Sequence, residues 1–268
     1  MQKVKIGFIG TGNMAQAIIH GMLKSRQYLP EQINLYDVDQ EKCEKLAEQG
    51  MQALSSSSDV VKESNIIFLA VKPQNYSEVL QGVRTATTQE KLFVSIAAGI
   101  SIPYIVRELG VNCPVVRVMP NTPLLIGKGA TALCRADNVT DQQFQCVKEI
   151  FEASGETAVL TEDKMNAVIA VNGSSPAYVY LFAKAIIDYA VNQGIDAQAA
   201  LQLTCKTLEG SAGMLKESGY TPDELIRMVS SPGGTTLKAL EALEERGFYQ
   251  ALLEAMDRCT QRAEELGK

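Results

Sequence analysis

The stretch VKIGFIGTGNMAQAIIHGMLKS, Val4–Ser25, constrains this chain more than any other. Val4–Gly10 is an apolar run broken only by Lys5, the pattern of a strand buried on both faces. From Asn13 onward, Ala15, Ile18, Ile19, Met22 and Leu23 recur at helical spacing and mark one apolar face. Between them lies Gly10-x-Gly12-x-x-Ala15. Such a spacing is weak on its own, but here it closes a strand and opens a helix, the context in which it carries meaning. Gly10 permits the tight turn, Gly12 lets another molecule approach the backbone, and Ala15 lets the helix pack close to a sheet. The helix start offers unpaired N–H groups and the positive end of a dipole. Residues Ile9, Gly10, Thr11, Gly12, Asn13 and Met14 are therefore expected to hold the pyrophosphate of a dinucleotide.

The same alternation continues. INLYD (Ile33–Asp37) reads as a second strand and QEKCEKLAEQG as a helix closed by Gly50. NIIFLAV, LFVSIAAG and CPVVRVMP read as further strands, the last two separated by the helix SIPYIVRELG. Strand and helix in alternation predict a doubly wound parallel sheet over residues 1–160. Asp37 ends the second strand, where an acidic side chain bonds the 2′-hydroxyl of an adenine ribose and repels a 2′-phosphate. Lys42 is nearby but no arginine follows the strand directly, so these residues favour NADH over NADPH. Lys72 follows a strand at the edge where ligands bind, and fits either a contact to the nicotinamide ribose or phosphate or a solvated loop. Asn121 and Thr122 stand between two prolines, in a turn that either shapes the nicotinamide side or is purely structural.

From residue 161 to 268 the pattern is helical throughout, including TEDKMNAVIAVNG, which predicts a second, all-α domain. Thr221-Pro222-Asp223-Glu224 is a helix start with a capping threonine, a proline in the first turn and a glutamate placed for a capping box. Ser175–Asn192 is apolar around much of its circumference, more than a small helical domain can cover, and predicts a subunit interface.

Composition removes several classes of function. Net charge is −6, from 25 basic and 31 acidic residues, which argues against nucleic acid or an anionic membrane as partner. No apolar run is long enough to span a bilayer, and the first residues lack the apolar core of a signal peptide, so a cytoplasmic location is expected. The six cysteines are dispersed and His20 is the one histidine, a set that points to reduced thiols, no metal and no histidine-based triad.

SSPGGTTLKALEALEERGF, Ser230–Phe248, places a proline, two glycines and several hydroxyls ahead of a helical pattern. Consecutive glycines cost a helix about 1 kcal/mol each relative to alanine, so capping alone is a poor reason for them. Ser231 is expected as the N-cap and Pro232 as the first helical residue, with the amides of Gly233 and Gly234 and the hydroxyls of Thr235 and Thr236 forming a site for a small carboxylate.

Across its whole length the chain resembles the pyrroline-5-carboxylate reductases. The likeness rests on GFIGTGNMAQAI, FLAVKPQ, VSIAAGI, RVMPNTP, NGSSPAYVY and MVSSPGGTTLKALEALEERGF. It implies a Rossmann-type domain followed by a helical domain through which subunits dimerise or build larger rings. It also implies reduction of 1-pyrroline-5-carboxylate to L-proline by NADPH or NADH, the last step of proline biosynthesis. Carried over position by position, Ser231, Gly233, Gly234, Thr235 and Thr236 match the substrate-carboxylate loop, with the Thr236 hydroxyl beside the ring nitrogen. Val71, Lys72 and Ala98 join Ile9–Met14 and Asp37 as cofactor contacts, and Glu162 falls near the active site. Many members carry arginine, serine or threonine near Asp37 and prefer NADPH, so this position departs from the family's usual pattern.

Two other readings compete. A β-hydroxyacid-type dehydrogenase shares the domain order but needs a catalytic lysine with asparagine four residues later, and Lys164 is followed there by Val168. A non-catalytic dinucleotide-binding regulator is expected to lose the Gly-Gly-Thr-Thr loop, which this chain keeps.

Overall fold

The computed structural model describes residues 4–267. In chain order these build β1 (Ile6–Ile9), α1 (Asn13–Lys24), β2 (Ile33–Tyr36), α2 (Gln40–Ala47), β3 (Gln52–Ala53), α3 (Ser57–Glu63) and β4 (Ile66–Leu69). There follow α4 (Tyr76–Val83), β5 (Leu92–Ser95), α5 (Ile102–Leu109), β6 (Val115–Met119), β7 (Gly129–Arg135), α6 (Asp141–Glu152) and β8 (Gly155–Val159). The rest is helical: α7 (Ser175–Asn192), α8 (Ala197–Glu217), α9 (Pro222–Met228), α10 (Thr235–Glu245) and α11 (Phe248–Leu266).

The strands form a single sheet in the order β3-β2-β1-β4-β5-β6-β7-β8. Every neighbouring pair is parallel except β6 and β7, which run antiparallel. Residues 120–128 join those two strands through a short 3-10 turn, Thr122–Ile126, ended by Gly127 at φ +73°. That link lacks the crossover helix a parallel return requires, so the strand folds straight back. Strand order reverses between β1 and β4, the switch point at which ligands bind in open α/β sheets.

Side chains alternate across the sheet and give it two apolar layers. Phe8 and Phe68 stack with centroids 4.6 Å apart on the face that also buries Ile18 and Met22 of α1 and Phe151 of α6. Ile67, Leu69 and Phe93 point the other way, against Val60 of α3, Tyr76 and Leu80 of α4 and Ile105 of α5. The helix ends follow from local chemistry. Ser56 caps α3 and Ser101 caps α5, each accepting a first-turn amide, and Gly110 closes α5 in the left-handed region at φ +68°. Thr221 and Glu224 form the expected capping box on α9.

The chain divides into two compact units, one running to Pro176 and resuming at Asp257, the other Ala177–Met256. The division thus falls later than the boundary near residue 160 read from the sequence, and the end of α11 returns to the first unit. TEDKMNAVIAVNG is not a continuous helix. It makes a 3-10 turn at Glu162–Lys164 and a wide π-type turn at Ile169–Gly173. The wide turn is fastened to the sheet: the Asn172 amide donates to the carbonyls of Met119 at 2.7 Å and Ala130 at 2.8 Å. At its exit the Cys259 thiol of α11 donates to the Ser174 hydroxyl at 3.2 Å. These hooks hold the wide turn in place of a regular helix, since the Asn172 amide gives the Met119 and Ala130 carbonyls a donor.

Among the described residues of the second unit, only Ala200 and Thr204 are buried. α7 carries no buried residue, while Phe182, Ile186 and Tyr189 lie exposed on one side of it. No helix among the described residues is long and apolar enough to cross a membrane.

Candidate active site

The carboxyl ends of β2, β1, β4 and β5 lie side by side, and the residues expected to hold a dinucleotide all sit there. Ile9 is the last residue of β1, Asp37 follows β2, Val71 and Lys72 follow β4, and Ala98 lies in the loop after β5. Backbone bonds zip these loops together. The Gly10 N–H donates to the Tyr36 carbonyl at 2.8 Å, and the Ala70 N–H to the Ile9 carbonyl at 2.9 Å.

Gly10 has φ +95°, and a Cβ there would lie 2.7 Å from the Ala70 carbonyl oxygen, so both conformation and space demand glycine. Gly12 differs: a Cβ would meet nothing within 4 Å. Its bare backbone is the N-cap of α1, and no side chain caps that helix. An open approach to uncapped first-turn amides is what a pyrophosphate needs, so these residues fit a dinucleotide. Lys72 is exposed and Val71 half-buried at the same edge.

Asp37 is firmly held. The Thr11 N–H donates to its Oδ2 at 2.7 Å and the Thr11 hydroxyl to the same oxygen at 3.2 Å. The Asp39 N–H donates to Oδ1 at 3.0 Å. Asp37 thereby fixes the glycine loop as well as facing the edge. Lys42 is paired with Asp39 at 3.0 Å rather than standing free.

Glu162, expected near substrate, has its carboxylate occupied from within the first unit. Its Oε1 accepts from Arg117 Nη1 at 3.1 Å and from the Ile102 N–H at 3.0 Å, and its Oε2 accepts from the Cys134 thiol at 2.8 Å. Arg117 is almost fully buried on β6 and also donates through Nη2 to Asn166 Oδ1 at 2.6 Å. Burial, reinforced by the hydrogen bond to Glu162, pushes the Cys134 thiol up and keeps it a donor. The structure therefore makes Glu162 the counter-ion of a buried arginine and the anchor of the α5 N-terminus. The sequence reading missed this set, although an arginine inside the apolar strand VVRVM was a signal, since a buried charge requires a partner.

The start of α10 also corrects the sequence reading. Ser231 does not cap the helix and Pro232 is not helical. Ser231–Gly234 form a turn in which the Gly234 N–H donates to the Ser231 carbonyl at 2.9 Å, and Gly233 takes φ +70°. Proline followed by a glycine at positive φ closes a turn of type II character, which a right-handed helix cannot continue through. Gly234 is the N-cap, and its own amide belongs to the turn rather than to a ligand. α10 begins at Thr235 and no side chain caps it. The free donors are thus displaced onto the first turn, where Thr235 and Thr236 stand. α1 and α10 share this construction, a glycine N-cap without a side-chain cap, whereas α3, α5, α6, α8 and α9 are each capped by a serine, threonine or aspartate side chain.

Comparison with known proteins covers both parts of the chain. A family profile described as pyrroline-5-carboxylate reductase dimerisation matches residues 162–266, and one described as NADP oxidoreductase, coenzyme F420-dependent, matches residues 5–99. The pyrroline-5-carboxylate reductase of Escherichia coli (strain K12) is 41% identical over 265 residues, 98% of each chain. That of Methanosarcina acetivorans is 38% identical over 269 residues, 100% of each. The crystal structure of Plasmodium falciparum pyrroline carboxylate reductase with NADP bound superposes with a TM-score of 0.92 at 30% identity, covering 100% of both chains. With its glycine loop, its sheet and its helical half all matched end to end, the chain belongs to the pyrroline-5-carboxylate reductase family.

Proposed function

We propose that this chain reduces 1-pyrroline-5-carboxylate to L-proline with NADPH or NADH, the last step of proline biosynthesis. The observation that carries the reading is the shared construction of α1 and α10, two helix starts left open to anions. Gly10, Thr11, Gly12, Asn13 and Met14 hold the pyrophosphate at α1, with Ile9, Val71, Lys72 and Ala98 lining the same edge. When bound, the dinucleotide supplies the hydride.

The chain's own task is placement. The substrate is a cyclic imine whose protonated form is already electrophilic, so no strong base, metal or covalent nucleophile is required. Ser231, Gly233, Gly234 and Thr235 form the loop that receives the carboxylate, with the first-turn amides of α10 as its donors. The Thr236 hydroxyl bonds the ring nitrogen as charge leaves it. Reacting atoms need to be held within about 3–3.5 Å, which a clamped carboxylate provides. Glu162 serves by holding Arg117 and the start of α5.

Asp37 tilts the choice of cofactor towards NADH. Its Oδ1 accepts one hydrogen bond and retains a lone pair for a ribose hydroxyl, while its charge opposes a 2′-phosphate. The chain works as a homo-oligomer, at least a dimer, through the exposed apolar helices of the second unit, and in the cytoplasm. The dispersed, unbridged cysteines agree with that compartment.

Steady-state kinetics with the pyrroline substrate and each cofactor test the reading. NAD(P)H oxidation is expected with the pyrroline acid and not, in reverse, with a 3-hydroxyacid. Binding without turnover leaves only the regulator reading. A preference for NADPH by about tenfold, equivalent to about 1.4 kcal/mol, removes the assignment of Asp37.

A further inference from the structure

The loop after β5 and the end of α11 touch backbone to backbone. Gly99 has φ +81°, and a Cβ there would lie 2.3 Å from the carbonyl oxygen of Ala263 and 3.0 Å from Leu266 Cβ. The contact is reciprocal, because a Cβ on Gly267 would lie 2.3 Å from the Gly99 carbonyl oxygen. Ala263 is buried, as are Ala97 and Ile100 on either side of the loop. Neither partner has a side chain that could swing aside, so the two backbones fix each other's position. About one turn before Ala263, the Cys259–Ser174 bond pins the same stretch of α11 to the exit of the wide turn. The terminal stretch is therefore seated at two points of the first unit, one of them the loop that carries Ala98.

We infer that the last turn of α11 and the Gly267 that follows it, residues 263–267, are a positioning element for cofactor binding: they form the back of the Ala97–Gly99 loop and set where Ala98 stands. The inference rests on the reading that places the dinucleotide against Ala98. Ligands in open α/β sheets lie outside the carboxyl ends of the strands, where small displacements of a loop change contacts directly. The end of the chain, remote in sequence from the glycine loop, thus contributes to affinity for the dinucleotide without touching it.

The test uses the full-length chain carrying Gly267→Ala, which needs no unusual backbone conformation and adds only the clashing methyl group. NADPH and NADH affinity is followed by dinucleotide fluorescence, alongside the Tm without ligand and the KM for the pyrroline acid at saturating cofactor. The expected result is a rise in Kd for the cofactor of about tenfold, the equivalent of roughly one lost hydrogen bond, with an unchanged KM for the acid. Gly99→Ala, strained in φ as well, is expected to weaken binding further; if it does not fold, Gly267→Ala decides alone. A cofactor Kd within about twofold of the parent overturns the inference, because that is well under the 1.4 kcal/mol of a tenfold change. A fall in Tm with unchanged Kd also overturns it, since the contact is then structural only. Ala98→Glu separates the two layers of the argument. If it leaves cofactor affinity intact, the placement of the dinucleotide at this loop fails; if it weakens binding while Gly267→Ala does not, only the role of α11 fails.

Discussion

The sheet unit and the helical unit of this chain solve the same problem in different ways. In the first, the central strands β1, β4 and β5 are buried at every residue between two helix layers, and large side chains such as Phe8, Phe68, Phe93 and Tyr76 are fully buried. In the second, helices of comparable apolar content bury almost nothing, and Phe182, Ile186 and Tyr189 remain exposed on α7. Apolar surface is stabilising only when removed from water, at roughly 25 cal/mol per Å². The sheet unit completes its core within one chain. The helical unit needs a second surface, and the dimerisation profile that matches residues 162–266 fits a copy of the same chain as its source.

The sharpest way to break this contrast is to charge the open face. Phe182→Asp with Ile186→Asp, one turn apart on α7, is expected to weaken self-association by about a thousandfold or more, as loss of central interface anchors does. Light scattering after size exclusion reads the mass. An unchanged oligomer with both aspartates present would place the interface elsewhere.

Damage to the sheet unit has a different signature. Glu162→Ala strips the buried Arg117 of its counter-ion and is expected to cost about 3 kcal/mol of stability, read as a lower urea midpoint. Replacing both partners, Glu162→Leu with Arg117→Met, is expected to restore part of that loss. A single variant as stable as the parent would show that the pair is dispensable.

Gly10→Ala keeps the oligomer and the fold but is expected to weaken cofactor binding by about a hundredfold, since it meets both a positive φ and the Ala70 carbonyl. Titration of dinucleotide fluorescence checks it; parent-like affinity would detach the glycine loop from the cofactor.

The smallest effect belongs to the helical unit. Thr236→Ala is expected to lower kcat by about tenfold, the loss of one polar contact made in the transition state, with cofactor affinity untouched. An unchanged kcat removes the hydroxyl from the mechanism.

How much of this was legible in the residues depends on range. The β1–α1 unit, the capping box of α9 and the apolar face of α7 could be read because each is settled by neighbours within a few positions. The start of α10 was misread by three residues for a related reason: Ser-Pro-Gly-Gly suits a capped helix and a tight turn equally well, and only the positive φ of Gly233 separates them. Arg117, Cys134, Asn166 and Glu162 could not be assembled from spacing, since they converge from β6, β7 and the segment after β8. The backbone contact of Gly99 with Gly267 joins residues with no side chain to announce it.

The alternation of β1, β2, β4, β5 and β6 with helices, the open glycine start of α1 and the surplus of apolar surface on α7 were determined by the sequence alone, because periodicity and turn chemistry act over a few residues. The presence of β3, β7 and β8, the reversal of β7, the employment of Glu162 as the partner of a buried arginine and the return of the end of α11 to the first unit were decided only in three dimensions. There, the unfavourable burial of an unpaired charge or an unbonded amide selects among arrangements that local preferences leave equal.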